Sequence, residues 1–149
     1  MNRRTAHNLT WGPVFIIGIV TSLLGASWCI HEEPWLLDQL PNEVLLQTSF
    51  NILFSEKINN GLPLYLTTIY RFLGLCMLTI GLLLINYVYI TRLGSKISRN
   101  SIFLILVTTL FGTYYLVFNY LPSSPLIPVL YFLSFCLVLS VFFSKYLPD

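Results

Sequence analysis

The chain has 149 residues, of which 56% are hydrophobic and 9% are charged, and its mean hydropathy is +0.76. A soluble domain carries about a quarter charged residues, so this composition excludes an ordinary soluble globular domain. The net charge is +2. The basic residues are too scattered to form the dense face that nucleic-acid binding needs, so no nucleic-acid partner is predicted.

Four apolar stretches divide the chain, and each is long enough for a helix to cross a bilayer core of roughly 30 Å. They cover residues 11–30, 64–90, 101–120 and 126–143. The connections between the last three are short, which makes neighbouring helices antiparallel. Since four spans leave no room for a soluble domain, residues 1–149 are predicted to form one all-α domain, an integral membrane antiparallel four-helix bundle.

Residues 31–63 form the one sizeable connection between predicted spans. This stretch is too short and too polar to cross a membrane, so we expect an outer interfacial amphipathic segment between the first and second helices. Pro34 is expected to begin one short helix. Asn42 is expected to be the N-cap of a second one.

Charged residues are sorted to opposite sides of the predicted spans. Because Lys and Arg accumulate on the cytoplasmic side, this pattern predicts that both chain ends are cytoplasmic, in the inner membrane if the source is bacterial. Lys57 is the one basic residue among the outer acids, and Asp149 is the one acid on the basic side. The basic residues are Arg3, Arg4, Arg92, Lys96, Arg99 and Lys145. The outer acids are Glu32, Glu33, Asp38, Glu43 and Glu56. The first four of these acids are expected to form a solvated face.

Glycines recur at a helical spacing in the first two spans. Gly18 and Gly25 are seven residues apart and so share one face of the first helix, and Gly74 and Gly81 repeat this spacing in the second. Small residues let membrane helices approach closely. We therefore predict that the two helices touch along these faces.

Arg71 is the only charged residue inside an apolar stretch, which makes it a candidate site residue because charge is costly in a membrane. Its helix exceeds the membrane thickness, so we expect Arg71 near the outer interface. It either anchors the helix by pairing with Glu32 or Glu33, or holds an anionic head group, a carboxylate or a quinone-type oxygen. The candidate ligand-binding residues are Arg71, Tyr70, Tyr114, Tyr115, Asn119, Glu32 and Glu33, with at most one of the two adjacent tyrosines facing the pocket.

Other chemistry-bearing patterns are missing from the sequence. No acid, lysine or histidine lies deep within a predicted span, which argues against an autonomous ion-coupled transporter. The three cysteines are isolated, so the Cys-x-x-Cys redox motif is absent. His7 and His31 fall on opposite sides of the membrane and cannot share a metal ion. The sequence therefore predicts no catalytic residue, no metal site and no cofactor.

A set of features carries a resemblance to a known family. The chain has a glycine-bearing first helix, an outer amphipathic segment, the pattern Tyr70-Arg71-x-x-Gly74-x6-Gly81, a basic turn and a final helical hairpin. This arrangement resembles the small DoxX-like four-helix membrane proteins. The resemblance implies a shared fold more than a shared function, and some members are linked to quinone-dependent oxidation complexes. It implies that Arg71 and Gly74 are candidate pocket residues.

The leading functional prediction is a non-catalytic accessory or assembly subunit of a larger membrane complex, or a homo-oligomer. The chain has few catalytic residue types and much apolar surface, so its expected partners are the lipid bilayer and other membrane subunits or itself. One alternative is a binder or modifier of a lipid or quinone at Arg71, and another is an oligomeric channel or permease. The side chains expected to face lipid or protein are Phe103, Phe111, Phe118, Phe132, Phe135 and Phe142.

Overall fold

The computed structural model describes residues 2–147, and every regular element in that range is helical. The prediction of an all-α chain is therefore confirmed. Four of the helices, the first and the last three, are long and apolar enough to cross a membrane. The α-helices are α1 (Arg3–Ile30), α2 (Gln39–Leu46), α3 (Phe50–Ser55), α4 (Leu62–Thr91), α5 (Lys96–Tyr120) and α6 (Ile127–Ser144), and 3-10 helices cover Pro34–Asp38 and Lys57–Asn59.

The first helix begins at Arg3, well before the apolar stretch that predicted it. Asn2 is its N-cap, and the Asn2 Oδ1 accepts a hydrogen bond from the Arg4 backbone N–H at 3.1 Å. The Thr10 hydroxyl, which is buried, donates to the Ala6 carbonyl one turn earlier. This capping and back-bonding let the polar residues ahead of the span continue the helix.

The connection between α1 and α4 differs from its prediction at Asn42. A helical segment does begin at Pro34, as expected. However, α2 begins at Gln39, so Asn42 lies inside that helix and its prediction as an N-cap is wrong. The Asn42 amide instead donates to the Asp38 carbonyl and to the Tyr70 hydroxyl, both at 2.6 Å. Asn42 therefore contributes a contact between α2 and α4, and it does not cap a helix.

The other long helices are arranged around α1. It contacts α4 and α6 extensively, and α5 has extensive contact with α6 alone. The core lies in the half of the long helices that is nearest the α4–α5 turn, where all four contribute side chains. Its buried members are Val14, Ile17, Leu84, Val88, Leu93, Ile102, Cys136 and Leu137.

Four glycines lie where the backbones of α1 and α4 approach most closely. A Cβ built on Gly18 would lie 3.1 Å from the Gly81 carbonyl oxygen, and one on Gly25 would lie 2.6 Å from the Gly74 carbonyl oxygen. Later residues of α1 meet earlier residues of α4, so these two helices run in opposite directions. Since any side chain at these positions would separate the backbones, the contact depends on glycine.

Replacing Gly25 by alanine is expected to destabilise the protein by about 1–3 kcal/mol, because the new methyl group would overlap backbone atoms of Gly74 and Leu78. Thermal or denaturant unfolding in a mild detergent measures this change. The matched control is Gly112→Ala in α5, where no atom of this chain lies within 4 Å of the new Cβ, and unfolding of both variants is measured on the monomeric chain. That variant should be neutral or slightly stabilised, and equal losses in both variants would contradict the interpretation.

Candidate functional site

A polar cluster ties the α1–α4 connection to two other parts of the chain. We call Asp38, Asn42, Tyr70 and Ser124 the Asp38 cluster. Asn42 links α2 to Tyr70 of α4, as described above, and the Ser124 hydroxyl donates to the Asp38 Oδ1 at 3.3 Å. Ser124 belongs to the loop between α5 and α6. The cluster therefore joins three segments that are far apart in sequence.

Ring contacts occur at Tyr70 of the Asp38 cluster and within the α1–α4 connection. Trp28, at the end of α1, is buried and meets the Tyr70 ring edge-on, with ring centroids 6.2 Å apart. Trp35 is buried and meets Phe54 edge-on at 5.6 Å, and Phe54 stacks on the buried Phe50. The hydrogen bond between Ser124 and Asp38 is buried and those of Asn42 are partly buried, so water competes with them less than with exposed bonds.

Asp38 is 7% exposed, and no other acid among residues 2–147 is buried. Its expected place on a solvated face with Glu32 and Glu33 is therefore wrong, although those two glutamates are exposed. Desolvation raises the pKa of the Asp38 carboxyl, and the hydrogen bond from Ser124 opposes part of this rise. The spacing from Trp35 is a local signal for this burial. Residues three apart lie on the same side of a 3-10 helix, and Asp38 follows the buried Trp35 by three.

Glu43 holds the turn between α2 and α3. Its Oε1 accepts hydrogen bonds from the Gln39 side-chain amide and from the Phe50 backbone N–H, both at 2.9 Å. These bonds lower the pKa of the Glu43 carboxyl because they favour its charged form. The pKa values of two acids in the same connection are thus shifted in opposite directions: burial raises that of Asp38, and hydrogen bonding lowers that of Glu43.

The side chains predicted to surround Arg71 make their contacts elsewhere. Tyr70 bonds to Asn42, whereas the Tyr114 hydroxyl shares a hydrogen bond of 2.9 Å with the hydroxyl of Ser134 in α6. The Asn119 amide donates to the carbonyl of Tyr115 in its own helix. Tyr115 itself is 58% exposed. The contacts of these residues do not converge on a common pocket.

Arg71 is exposed on α4. Within residues 2–147, no ion pair or hydrogen bond engages its guanidinium, so the expected pairing with Glu32 or Glu33 is not formed. Its backbone carbonyl accepts a hydrogen bond from the Cys29 thiol at 3.6 Å. Among the described residues, no group of three or more His, Cys, Asp or Glu is placed to hold a metal ion.

A second candidate site lies at the opposite end of α1. It is a cleft of about 500 Å³ that we call the basic cleft, and its lining residues are Asn2, Arg3, Arg4, His7, Gly94 and Leu147. The His7 Nε2 lies 2.8 Å from the carbonyl oxygen of Arg92. A carbonyl can only accept, so this ring nitrogen carries the hydrogen. The sequence indicated only that these arginines mark topology.

The turn between α4 and α5 forms one wall of the basic cleft. Arg92 and Leu93 have φ angles of 49° and 51°, a left-handed conformation that non-glycine residues rarely adopt. Arg99, which is 4% exposed, stabilises this turn because its Nη1 donates to the carbonyls of Leu93 and Gly94 at 3.3 and 3.1 Å. The Arg92 guanidinium lies 4.6 Å from the Trp11 ring centroid. These contacts fix the turn against the start of α1.

Comparisons with protein-family models, with curated proteins and with solved structures give no match for this chain. The resemblance to DoxX-like proteins therefore stays a prediction carried by its residues alone. The two sites and the exposed helix surfaces are the features of this chain that bear on its function.

Replacing Asp38 by asparagine tests the burial of this carboxyl. Because the folded pKa is raised above the ordinary 3.8, the folded protein holds this proton more tightly than the unfolded chain does. Stability contributed by the protonated group is present at low pH and is lost as the pH rises through the folded pKa. Asparagine can still accept from Ser124 and cannot ionise. The free energy of unfolding of Asp38→Asn minus that of the unmodified protein should therefore increase with pH to a plateau.

Glu43 is present in both proteins of that comparison, so its opposite contribution cancels in the difference. Unfolding at a series of pH values, at constant ionic strength, gives the two curves. A difference that stays constant with pH would contradict a raised pKa of the Asp38 carboxyl in the folded protein.

Two neighbouring residues on α4 are expected to respond differently to truncation. Arg71→Ala should change the free energy of unfolding by less than about 0.5 kcal/mol, because its side chain has no partner within residues 2–147. Tyr70→Phe removes the hydrogen bond to Asn42 and should cost about 0.5–1.5 kcal/mol. Unfolding in detergent measures both, and a larger loss for Arg71→Ala than for Tyr70→Phe would contradict this ranking.

Proposed function

We propose that this chain is a non-catalytic integral membrane protein that acts as an accessory or assembly subunit. In this proposal, α1, α4, α5 and α6 cross the bilayer as an antiparallel four-helix bundle. The connection between α1 and α4 lies on the outer surface. One face of α5 packs against helices of another subunit or of a second copy. The partner is thus a membrane protein and the surrounding medium is lipid.

The observation that carries the proposal is how little of α5 is covered. In the most apolar 18-residue window of α5, 11% of the residues are buried, compared with 39% for the corresponding window of α1. Its extensive contacts are with α6 alone. The rest of this long helix must therefore face lipid or another protein.

The composition of one α5 face favours another protein over lipid. At 100° per residue, Thr108, Gly112 and Asn119 lie within about 40° of one another, and all three are exposed. Nothing lies within 4 Å of a Cβ built on Gly112. Small residues permit close helix approach and an amide can bond across helices, whereas acyl chains use neither. The chain already uses glycines for such an approach between α1 and α4.

The Asp38 cluster supports a structural rather than a catalytic role. Its carboxyl, amide and hydroxyl groups are engaged with one another, and they fasten the connection to α4 and to the α5–α6 loop. The alternative of a lipophilic ligand at Arg71 has less support, because Tyr70 and Tyr114 are engaged with different partners.

The proposed orientation has both chain ends in the cytoplasm, in the inner membrane for a bacterial source. Its support is that Arg3, Arg4 and Arg92 gather at one end of α1, next to the α4–α5 turn and Leu147. The acids Glu32 and Glu33 follow the other end of α1. Lys and Arg next to spans mark the cytoplasmic side.

Gly112→Leu is expected to disrupt the assembly without unfolding the chain, because the new side chain projects from an open face. Native mass spectrometry of the protein, purified in mild detergent from its source membrane, measures the assembled fraction. We expect the unmodified chain to carry a stoichiometric protein partner or a second copy. The apparent dissociation constant should rise about tenfold or more in the variant, which corresponds to about 1.4 kcal/mol.

The matched control is Gly61→Leu. It makes the same substitution at the exposed residue that precedes α4, which also has nothing within 4 Å of its built Cβ. This variant should assemble like the unmodified protein. An unmodified chain that is monomeric without a protein partner, or a Gly112→Leu variant that assembles normally, would refute the proposed use of α5.

A further inference from the structure

We infer that the basic cleft at the start of α1 is a binding site for a phosphate group, and that an anionic phospholipid head group supplies it. The cleft measures about 500 Å³ and brings together the first two turns of α1, the α4–α5 turn and Leu147. No acidic side chain is among its lining residues within the described range of 2–147. The site is distinct from the proposed contact on α5 and from the Asp38 cluster.

Within residues 2–147, no acid compensates the positive charges of the basic cleft, an arrangement that helix stability disfavours. Arg3 and Arg4 occupy the first turn of α1, where the helix dipole is positive and an acid would be favourable, yet that turn contains no acid. Both arginines are exposed, and within residues 2–147 neither guanidinium takes part in an ion pair or hydrogen bond. A bound anion would relieve the repulsion between these positive groups.

The walls of the cleft are already in place. The His7 Nε2–H donates to the Arg92 carbonyl, which fastens α1 to the α4–α5 turn. Arg99 Nη1 donates to the Gly94 carbonyl from the other side of that turn. A ligand therefore has little protein to order when it binds, and guanidiniums match the fork geometry that phosphate oxygens accept.

The surroundings of the cleft favour a lipid phosphate over a free anion. The Arg92 guanidinium lies over Trp11 and 5.0 Å from the Tyr89 ring centroid, and Trp and Tyr gather at head-group level in membrane proteins. Arg4 lies two turns before Trp11, about 10 Å along the helix axis and toward the aqueous side. Leu147 adds an apolar wall to the cleft. This step rests on the proposed insertion of α1 into the bilayer.

The test is a lipid titration of the purified chain in a non-ionic detergent, followed by native mass spectrometry. Phosphatidylglycerol is expected to bind at one saturable site, and phosphatidylcholine, which has a phosphate but no net charge, to bind at least tenfold more weakly. The double variant Arg3→Gln/Arg4→Gln should lose about tenfold or more in phosphatidylglycerol affinity, since each basic residue contributes roughly fivefold to binding of an anionic lipid. Thermal unfolding confirms that the variant remains folded.

The matched control is Lys57→Gln/Lys145→Gln, which removes the same two charges from exposed positions that do not line the cleft. Its affinity for phosphatidylglycerol should stay within about twofold of the unmodified protein. Equal losses of affinity in the two double variants would show that only net charge matters and would overturn the site. An unchanged affinity in Arg3→Gln/Arg4→Gln would also overturn it.

Inorganic phosphate distinguishes the two sources of the anion. If it binds at the cleft, with the same dependence on Arg3 and Arg4, while phosphatidylglycerol does not, the phosphate site stands and its assignment to lipid is overturned. The assembly of Gly112→Leu is measured separately. Failure of the proposed α5 contact and failure of this site therefore give different results.

Discussion

The close contact between α1 and α4 is the constraint on which the rest of the structure depends. In the proposed membrane setting, apolar helices gain no hydrophobic free energy from each other, so their association relies on close packing. Gly18 and Gly25 bring the α1 backbone against Gly81 and Gly74 of α4. α6 then occupies another side of α1, and α5 is attached through α6. The buried share of the apolar window is highest in α1, equal in α4 and α6, and lowest in α5.

The same contact determines how the α1–α4 connection folds. Because the ends of the two helices lie side by side, the intervening residues have little distance to cross and fold over the helix ends. They form short helices in which Trp35 meets Phe54, while Trp28 at the end of α1 meets Tyr70 of α4. Burial of the Asp38 carboxyl is costly, and the Ser124 hydroxyl offsets part of that cost. The resulting hydrogen bond links the α1–α4 connection to the α5–α6 loop, which no other hydrogen bond within residues 2–147 does.

Features with a strong local signal could be read from the sequence, and features that depend on distant partners could not. Apolar length predicted four long helices, and glycine spacing predicted the faces of α1 and α4. The place of Asp38 depends on Ser124, which is remote in sequence, although its spacing from Trp35 offered a clue. Asn42 has the residue type of an N-cap, but Tyr70 provides a tertiary partner inside α2. Arg71 was predicted to be a site residue because charged residues are rare in apolar stretches. A rare residue type does not by itself bring other side chains together into a pocket.

A carboxyl is buried near one end of α1 and two arginines are exposed at the other, and this difference supports a binding site at the exposed arginines. At one end, a carboxyl is withdrawn from water and its hydrogen bonds are used to hold the protein together. At the other, Arg3 and Arg4 stay exposed beside a formed cleft, and the buried Arg99 secures the wall opposite them. Groups that are satisfied internally can do little for a ligand, whereas exposed charge beside fixed walls binds with little rearrangement of the backbone. The basic cleft and the α5 face are therefore the two exposed surfaces that we propose for contact with other molecules.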